Sequence, residues 1–110
     1  MAAAFIGGEV ALAGTTWTAV VAAPASGKQR QILSLLVKNR DTAQRTITGR
    51  KKKGGSTYEH VEIVLAAGAP GQLISGSVVL DDTDESYEVK SDAAAATTEP
   101  LVDVSVFEVP

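Results

Sequence analysis

The chain is predicted to be all-β: a single antiparallel β-sandwich, jelly-roll or Ig-like, of seven to eight short strands. Three observations predict it. Short segments of alternating or β-branched residues recur between turn signals along the whole chain. No apolar stripe of period 3.6 persists for three turns, and Ala93–Ala96 is too short and too Thr-flanked to nucleate a helix. Finally, 110 residues with 45% hydrophobic and 21% charged content suit one globular core and are too few for two. Residues 1–110 are read as one domain, with 1–8 a candidate for an extended N-terminal arm.

The elements follow in order. Glu9–Leu12 and Thr15–Val21 are short strands separated by Ala13-Gly14. Gln31–Asn39 is a more buried strand that ends at the turn-forming Asn39-Arg40-Asp41. Gln44–Arg50 alternates and is β-branched, and a hairpin with the preceding strand is the natural pairing, basic residues on the wet face. Tyr58–Leu65 alternates into the punctuated turn 66–71. Gln72–Leu80 and Ser86–Lys90 flank the acidic turn Asp81-Asp82-Thr83-Asp84-Glu85. In Leu101–Val109 the residues Val102, Val104 and Val106 share one face, the mark of a half-buried strand. Only 5% of the chain is aromatic, so Val, Leu, Ile and Ala build a thin core, with Phe5, Trp17, Tyr58, Tyr87 and Phe107 as the large fillers. Apolar surface is expected to be left over for a neighbouring subunit.

Composition removes most chemistry. Without cysteine there are no disulfides, thiolate metal sites or Cys nucleophiles, and one histidine, His60, cannot form a two-histidine metal motif. No Lys or Arg precedes Lys28 and Glu9 interrupts the first apolar stretch, so neither a secretory leader nor a membrane span is expected. Charge is segregated along the chain. Segment 28–53 holds nine of the ten basic residues and one acid, a net +8, whereas 59–110 holds eleven acids against Lys90, a net −10. Such asymmetry points to an oppositely charged partner, another copy of the chain included.

Each candidate chemical site is weak. Ser26-Gly27-Lys28 lacks the opening Gly, the closing Ser or Thr and the helix of a phosphate loop. Tyr58, His60 and Glu62 would share one strand face, but no nucleophile or second ligand accompanies them. The acidic turn offers oxygen ligands without the EF-hand spacing. No catalytic residue, metal site or cofactor is therefore expected, and the chain is read as a non-enzyme. The sharpest local feature is Arg50-Lys51-Lys52-Lys53 before Gly54-Gly55, read as a basic hairpin tip that docks on an acidic protein surface. Nucleic acid is disfavoured because no aromatic is interleaved for base stacking. Phe5 and Ile6, in the apolar arm, are the other candidate partner contacts.

The order Thr16-Trp17-Thr18-Ala19, Ala23-Pro24-Ala25, Gly27-Lys28 to Val37 with Asn39-Arg40-Asp41, a middle hairpin, Leu65 to Gly68, Val79-Leu80-Asp81 to Val89-Lys90-Ser91 and Val104 to Glu108 resembles a type of small β-sandwich protein encoded among tailed-bacteriophage structural genes. The shared pattern covers nearly the whole chain and includes no catalytic signature. The resemblance implies a virion component, assembled in the host cytoplasm, that decorates the capsid or contributes to the neck or tail through contacts with capsid or tail proteins. Asp82-Thr83-Asp84, where a Gly-Asp pair is more usual, and the strongly basic 50–53 depart from the pattern. The expectation is thus a homo-oligomeric virion structural protein without membrane attachment. The alternative is a host-recognition or carbohydrate-binding module, for which Trp17, Tyr58 and Tyr87 are the available stacking rings.

Overall fold

A computed structural model describes residues 4–74 and 78–109. Nine strands occur among them: β1 (Ala4–Ala11), β2 (Thr18–Val21), β3 (Gln29–Lys38), β4 (Arg45–Lys53), β5 (Ser56–Leu65), β6 (Pro70–Ile74), β7 (Val78–Leu80), β8 (Glu85–Ser91) and β9 (Leu101–Val109). No helix occurs among the described residues. Each segment singled out by alternation contains a strand. The count exceeds the expected seven to eight because Gln72–Leu80 divides into β6 and β7, which run along the same side of β3, β6 beside Leu35–Lys38 and β7 beside Arg30–Ile32.

The strands form two antiparallel sheets, ordered β1-β9-β3-β6 with β7 also on β3, and β2-β8-β4-β5. With β6 and β7 taken as one interrupted row, first pairs with last all the way inward: β1 with β9, β2 with β8, β3 with β6 and β7, and β4 with β5. The chain is therefore a long antiparallel ribbon, doubled back at the β4–β5 turn and rolled so that successive rungs alternate between the two sheets. Of the two sandwich types the sequence allows, this is the jelly roll.

Rolling the ribbon excludes the expected hairpin between Gln31–Asn39 and Gln44–Arg50, because β3 and β4 lie in different sheets. The segment 39–41 is a corner between the sheets in which Asn39 and Asp41 are buried and Arg40 is exposed. Asn39 is fully buried, and its Nδ2 donates to the carbonyls of Ala43, Leu65 and Ala66 at 2.9, 3.1 and 3.1 Å. Its Oδ1 accepts the Asp41 N–H at 3.1 Å. Asp41, 2% exposed, accepts the N–H groups of Thr42, Ala96 and Thr97, the Thr97 hydroxyl, and Nε and Nη2 of Arg45. A buried carboxylate is tolerated only when it is paired and hydrogen-bonded in this way. Arg45, expected on the wet face, is drawn inside by this partner.

Val102, Val104 and Val106 do share the inner face, and all three are buried. They belong to a Val, Leu and Ile core in which Tyr87 is the fully buried aromatic among the described residues. The core is a slab, within a body of 45 × 28 × 19 Å. At its centre the packing leaves no room for a side chain on Gly49: a Cβ there would overlap the Tyr87 hydroxyl and lie 3.0 Å from Val61 and 3.1 Å from Leu73. The described part of the expected N-terminal arm, residues 4–8, is the first half of β1, paired along β9 from Ala4↔Glu108 onward. Phe5 and Ile6 stand opposite Phe107 and Val106 in that register, while their side chains lie outside the described residues.

Candidate functional site

The charge asymmetry of the sequence is resolved in part inside the molecule. β3 and β4 form the basic arm of the ribbon, and the returning arm, β5 to β9, is acidic, so rolling brings the two signs together. Arg30 meets Glu108 at 2.7 Å with Lys28 at 3.7 Å, Arg50 meets Glu88 at 2.7 Å, and Lys51 meets Glu85. With Arg45–Asp41, five of the nine cations in 28–53 are in ion pairs within the chain. The hydrogen bond from Arg30, aided by the charge of Lys28, holds the Glu108 carboxyl below its usual range. At the corner, the N–H of Ala96 leads the hydrogen bonds from Thr97, Thr42 and Arg45 that outweigh burial and push the Asp41 carboxyl well below that range. Burial raises the Tyr87 phenol above its ordinary value.

Strand geometry divides the basic run Arg50 to Lys53. Successive residues point to opposite faces. Arg50 lies on the outer face of its sheet, paired with Glu88, with its guanidinium carbon 4.0 Å from the Trp17 ring centre; Lys90 lies 4.9 Å from the same ring. Lys51 reaches Glu85, which is 1% exposed, and donates to the Val79 carbonyl at 2.9 Å. The solvated tip thus shrinks to Lys52 and Lys53 beside Gly54-Gly55, where Gly54 supplies the positive φ of 57° that a primed two-residue hairpin turn requires. Replacing Lys52 and Lys53 with Ser should change stability by less than about 0.5 kcal/mol. Replacing Arg50 and Lys51 should cost about 3 kcal/mol or more, because Glu85 stays buried without its cation. Equal denaturation midpoints for the two double variants would refute this division.

The other sequence candidates are rearranged too. A bulge between Gly49 and Arg50 sets Val61 opposite Gly49 and Glu59 opposite Arg50, leaving His60 as the extra residue of β5. Tyr58 therefore faces Lys51 and Glu62 faces Thr48, three positions apart on β4 and on opposite faces, so Tyr58, His60 and Glu62 do not share one face. The His60 side chain lies outside the described residues. Ser26-Gly27-Lys28 is a turn into β3, closed by the Lys28 N–H on the Ala25 carbonyl at 3.0 Å, and leads into a strand where a phosphate loop needs a helix. In the acidic turn, Asp81, Asp82 and Asp84 are exposed but Glu85 is buried on Lys51. Among the described residues no group of three His, Cys, Asp or Glu is placed to hold a metal ion. No helix there is long and apolar enough to cross a membrane.

Of the rings available to stack on a sugar, Tyr87 is fully buried and Trp17 is engaged by Arg50 and Lys90, which leaves Tyr58, 56% exposed. The free apolar surface lies elsewhere. Leu33, the bulged residue of β3, and Leu36 are 39% and 45% exposed on the outer face of the first sheet. A groove of about 250 Å³ opens there, with Leu36, Leu101 and Pro70 at its base and Glu9, Asp103 and Lys38 around it. A second cleft, of about 180 Å³, lies between β1 and β2 beside Gly7, Gly8, Val10 and Val20.

No protein-family model matches the chain, and no curated protein matches it. Among solved structures, it is similar to a chain from the endospore appendages of Bacillus, which form a family of disulfide-linked pili. The TM-score is 0.55 at 16% identity, over 97% of this chain and 85% of that one, a likeness that shows a shared β-sandwich fold.

Proposed function

We propose that the chain is a non-catalytic structural protein of a tailed-phage virion, assembling on the capsid or at the neck or tail through protein–protein contacts. The observation that carries this reading is where the unspent surface lies. A thin jelly roll pairs five of the nine cations of 28–53 internally and displays exposed Leu33 and Leu36 on the face of one sheet, Val64 on the other sheet and the basic turn at one end. Such surfaces suit subunit contacts. The jelly roll of an appendage subunit supports an assembling role by analogy of fold alone. Copies of the present chain are not joined by disulfides, since it has no cysteine. Of Trp17, Tyr58 and Tyr87, the sugar-binding alternative is left with Tyr58 as a free ring and is not favoured.

Mass spectrometry of purified particles made from a genome encoding the chain should find it in stoichiometric amounts, and electron microscopy should locate it on the head, neck or tail. Particles that lack it, from cells that express it, would refute the proposal.

A further inference from the structure

The β4–β5 turn and the β7–β8 turn lie against each other at one end of the sandwich, tied by the Gly54 N–H on the Asp84 carbonyl at 3.0 Å. Three ionisable side chains from separate segments converge there. Lys51 of β4 stands opposite fully buried Tyr87, and its Nζ donates to the Val79 carbonyl of β7 at 2.9 Å. Glu85 opens β8 and is 1% exposed, and its N–H closes the turn on the Asp82 carbonyl at 3.1 Å. Asp81 follows fully buried Leu80, four residues before Glu85.

Their contacts are not those of an ordinary ion pair. Lys51 Nζ touches Glu85 Oε2 at 2.5 Å, the closest ion pair among the described residues, yet neither Glu85 oxygen accepts a hydrogen bond from a nitrogen or hydroxyl donor. The amine therefore meets the carboxyl away from its lone-pair directions. The other neighbour of that carboxyl is Asp81. Two carboxyls in hydrogen-bond contact share a proton. The bond to Glu85, together with the Glu85 charge, raises Asp81 above the ordinary carboxylate range, so Asp81 carries that proton. A primary amine, a buried carboxyl and an acid that donates to the same carboxyl are the parts from which an amide is made.

We propose that Lys51 and Glu85 condense to an isopeptide bond with Asp81 as the proton donor, which cross-links β4 to β8 in the mature chain. The Lys51 ammonium yields one proton to the Glu85 carboxylate, and the resulting amine attacks Cδ while Asp81 lends its own proton to the developing oxyanion. The N–C bond forms, a C–O bond breaks, the second proton from nitrogen returns Asp81 to its starting state, and one water leaves. No oxidant or cofactor is needed. Strands and turns hold the partners in place, so the encounter is intramolecular. The neutral amide also removes two charges whose desolvation a buried ion pair recovers only in part. The inference stands apart from the virion reading and does not depend on it.

Mass tests it. Intact-mass spectrometry of the full chain in denaturant should find it lighter than its sequence by one water, and a tryptic digest should contain a branched peptide that joins Lys51, left uncut, to Glu85. Lys51→Arg keeps a cation beside Glu85 and cannot form the amide, so it should show the full mass and an unbranched digest. Asp81→Asn alters an exposed side chain and should slow closure about tenfold or more, followed as the disappearance of the full-mass species in freshly purified chain. If Lys51→Arg does not fold, the wild-type mass and digest decide the matter alone. A wild type that keeps the full mass of its sequence, a lost water that maps to a succinimide or to another residue pair, or an Asp81→Asn chain that closes as fast as wild type would overturn the proposal.

Discussion

Replacing Asp41 with Ala should lower the thermal midpoint by roughly 10–20 °C. Asp41 is the hub through which the β3–β4 corner grips the 92–100 connection, and six donor groups converge on its two oxygens. Removing it leaves the N–H groups of Ala96 and Thr97 without their acceptor and Arg45 without its counter-ion. Asp41→Asn should lose nearly as much, since an amide keeps the shape but turns one acceptor into a donor aimed at donors. The same carboxyl sets an acid limit. Its folded-state pKa lies below the ordinary value near 4, so around and below that value the unfolded chain binds the proton more readily. Its contribution is fully present above about pH 5 and is lost as pH falls through the carboxylate range toward the folded pKa. Denaturation midpoints measured from neutral pH downward should fall steeply in the wild type. They should fall less steeply in Asp41→Asn, where Glu108 still contributes. An Asn variant as stable as wild type, or one with an unchanged acid slope, would contradict this account.

Gly49→Ala should destabilise the domain by about 3 kcal/mol, an unusual cost for adding one methyl group. Glycine in a strand normally weakens it, so alanine would ordinarily be an improvement. Here the new Cβ overlaps the Tyr87 hydroxyl and presses on Val61 and Leu73, inside a sheet pair that cannot open without breaking the β4 rungs to β5 and β8. Tyr87→Phe removes the overlapping oxygen. In a double-mutant cycle the two changes together should therefore cost less than the sum of the single changes, by about 1 kcal/mol. Strict additivity would show that the methyl is accommodated elsewhere.

The strands were legible in the sequence because alternation is a local property. Val102, Val104 and Val106 declare their common face without reference to any other segment. Pairing was not legible, because proximity in sequence suggests hairpins whereas a jelly roll joins the first row to the last. Asn39 and Asp41 are turn-forming types, and only the folded corner shows them buried under eleven hydrogen bonds counted with their partners' donors. The basic run was visible, but its division required the register: alternation alone sends Arg50 and Lys51 to opposite faces, yet their partners, Glu88 and Glu85, lie more than thirty residues away. The groove over Leu36 depends on Glu9, Asp103 and Leu36 falling in one row, which no local pattern encodes. A usable signal was the sign segregation itself. Two halves of opposite charge are what a ribbon needs if its arms are to lie against each other.

The pairing of β1 and β3 with β9 has a consequence for how the protein is made. A ribosome delivers the N-terminus first, so β1 waits for the final strand before it gains a hydrogen-bonded neighbour. For much of that interval the cationic stretch 28–53 waits for Glu85 and Glu88 of β8, and throughout it for Glu108 of β9. The β4–β5 hairpin, whose strands are adjacent in the chain, can close first, and β6, β7 and β8 can join β3 and β4 before β9 is made. Folding is consequently dominated by long-range closure and slow for the size of the chain. A nascent polypeptide stalled before Leu101 would leave β1 without a neighbour and the edge of β3 that β9 covers open along its length.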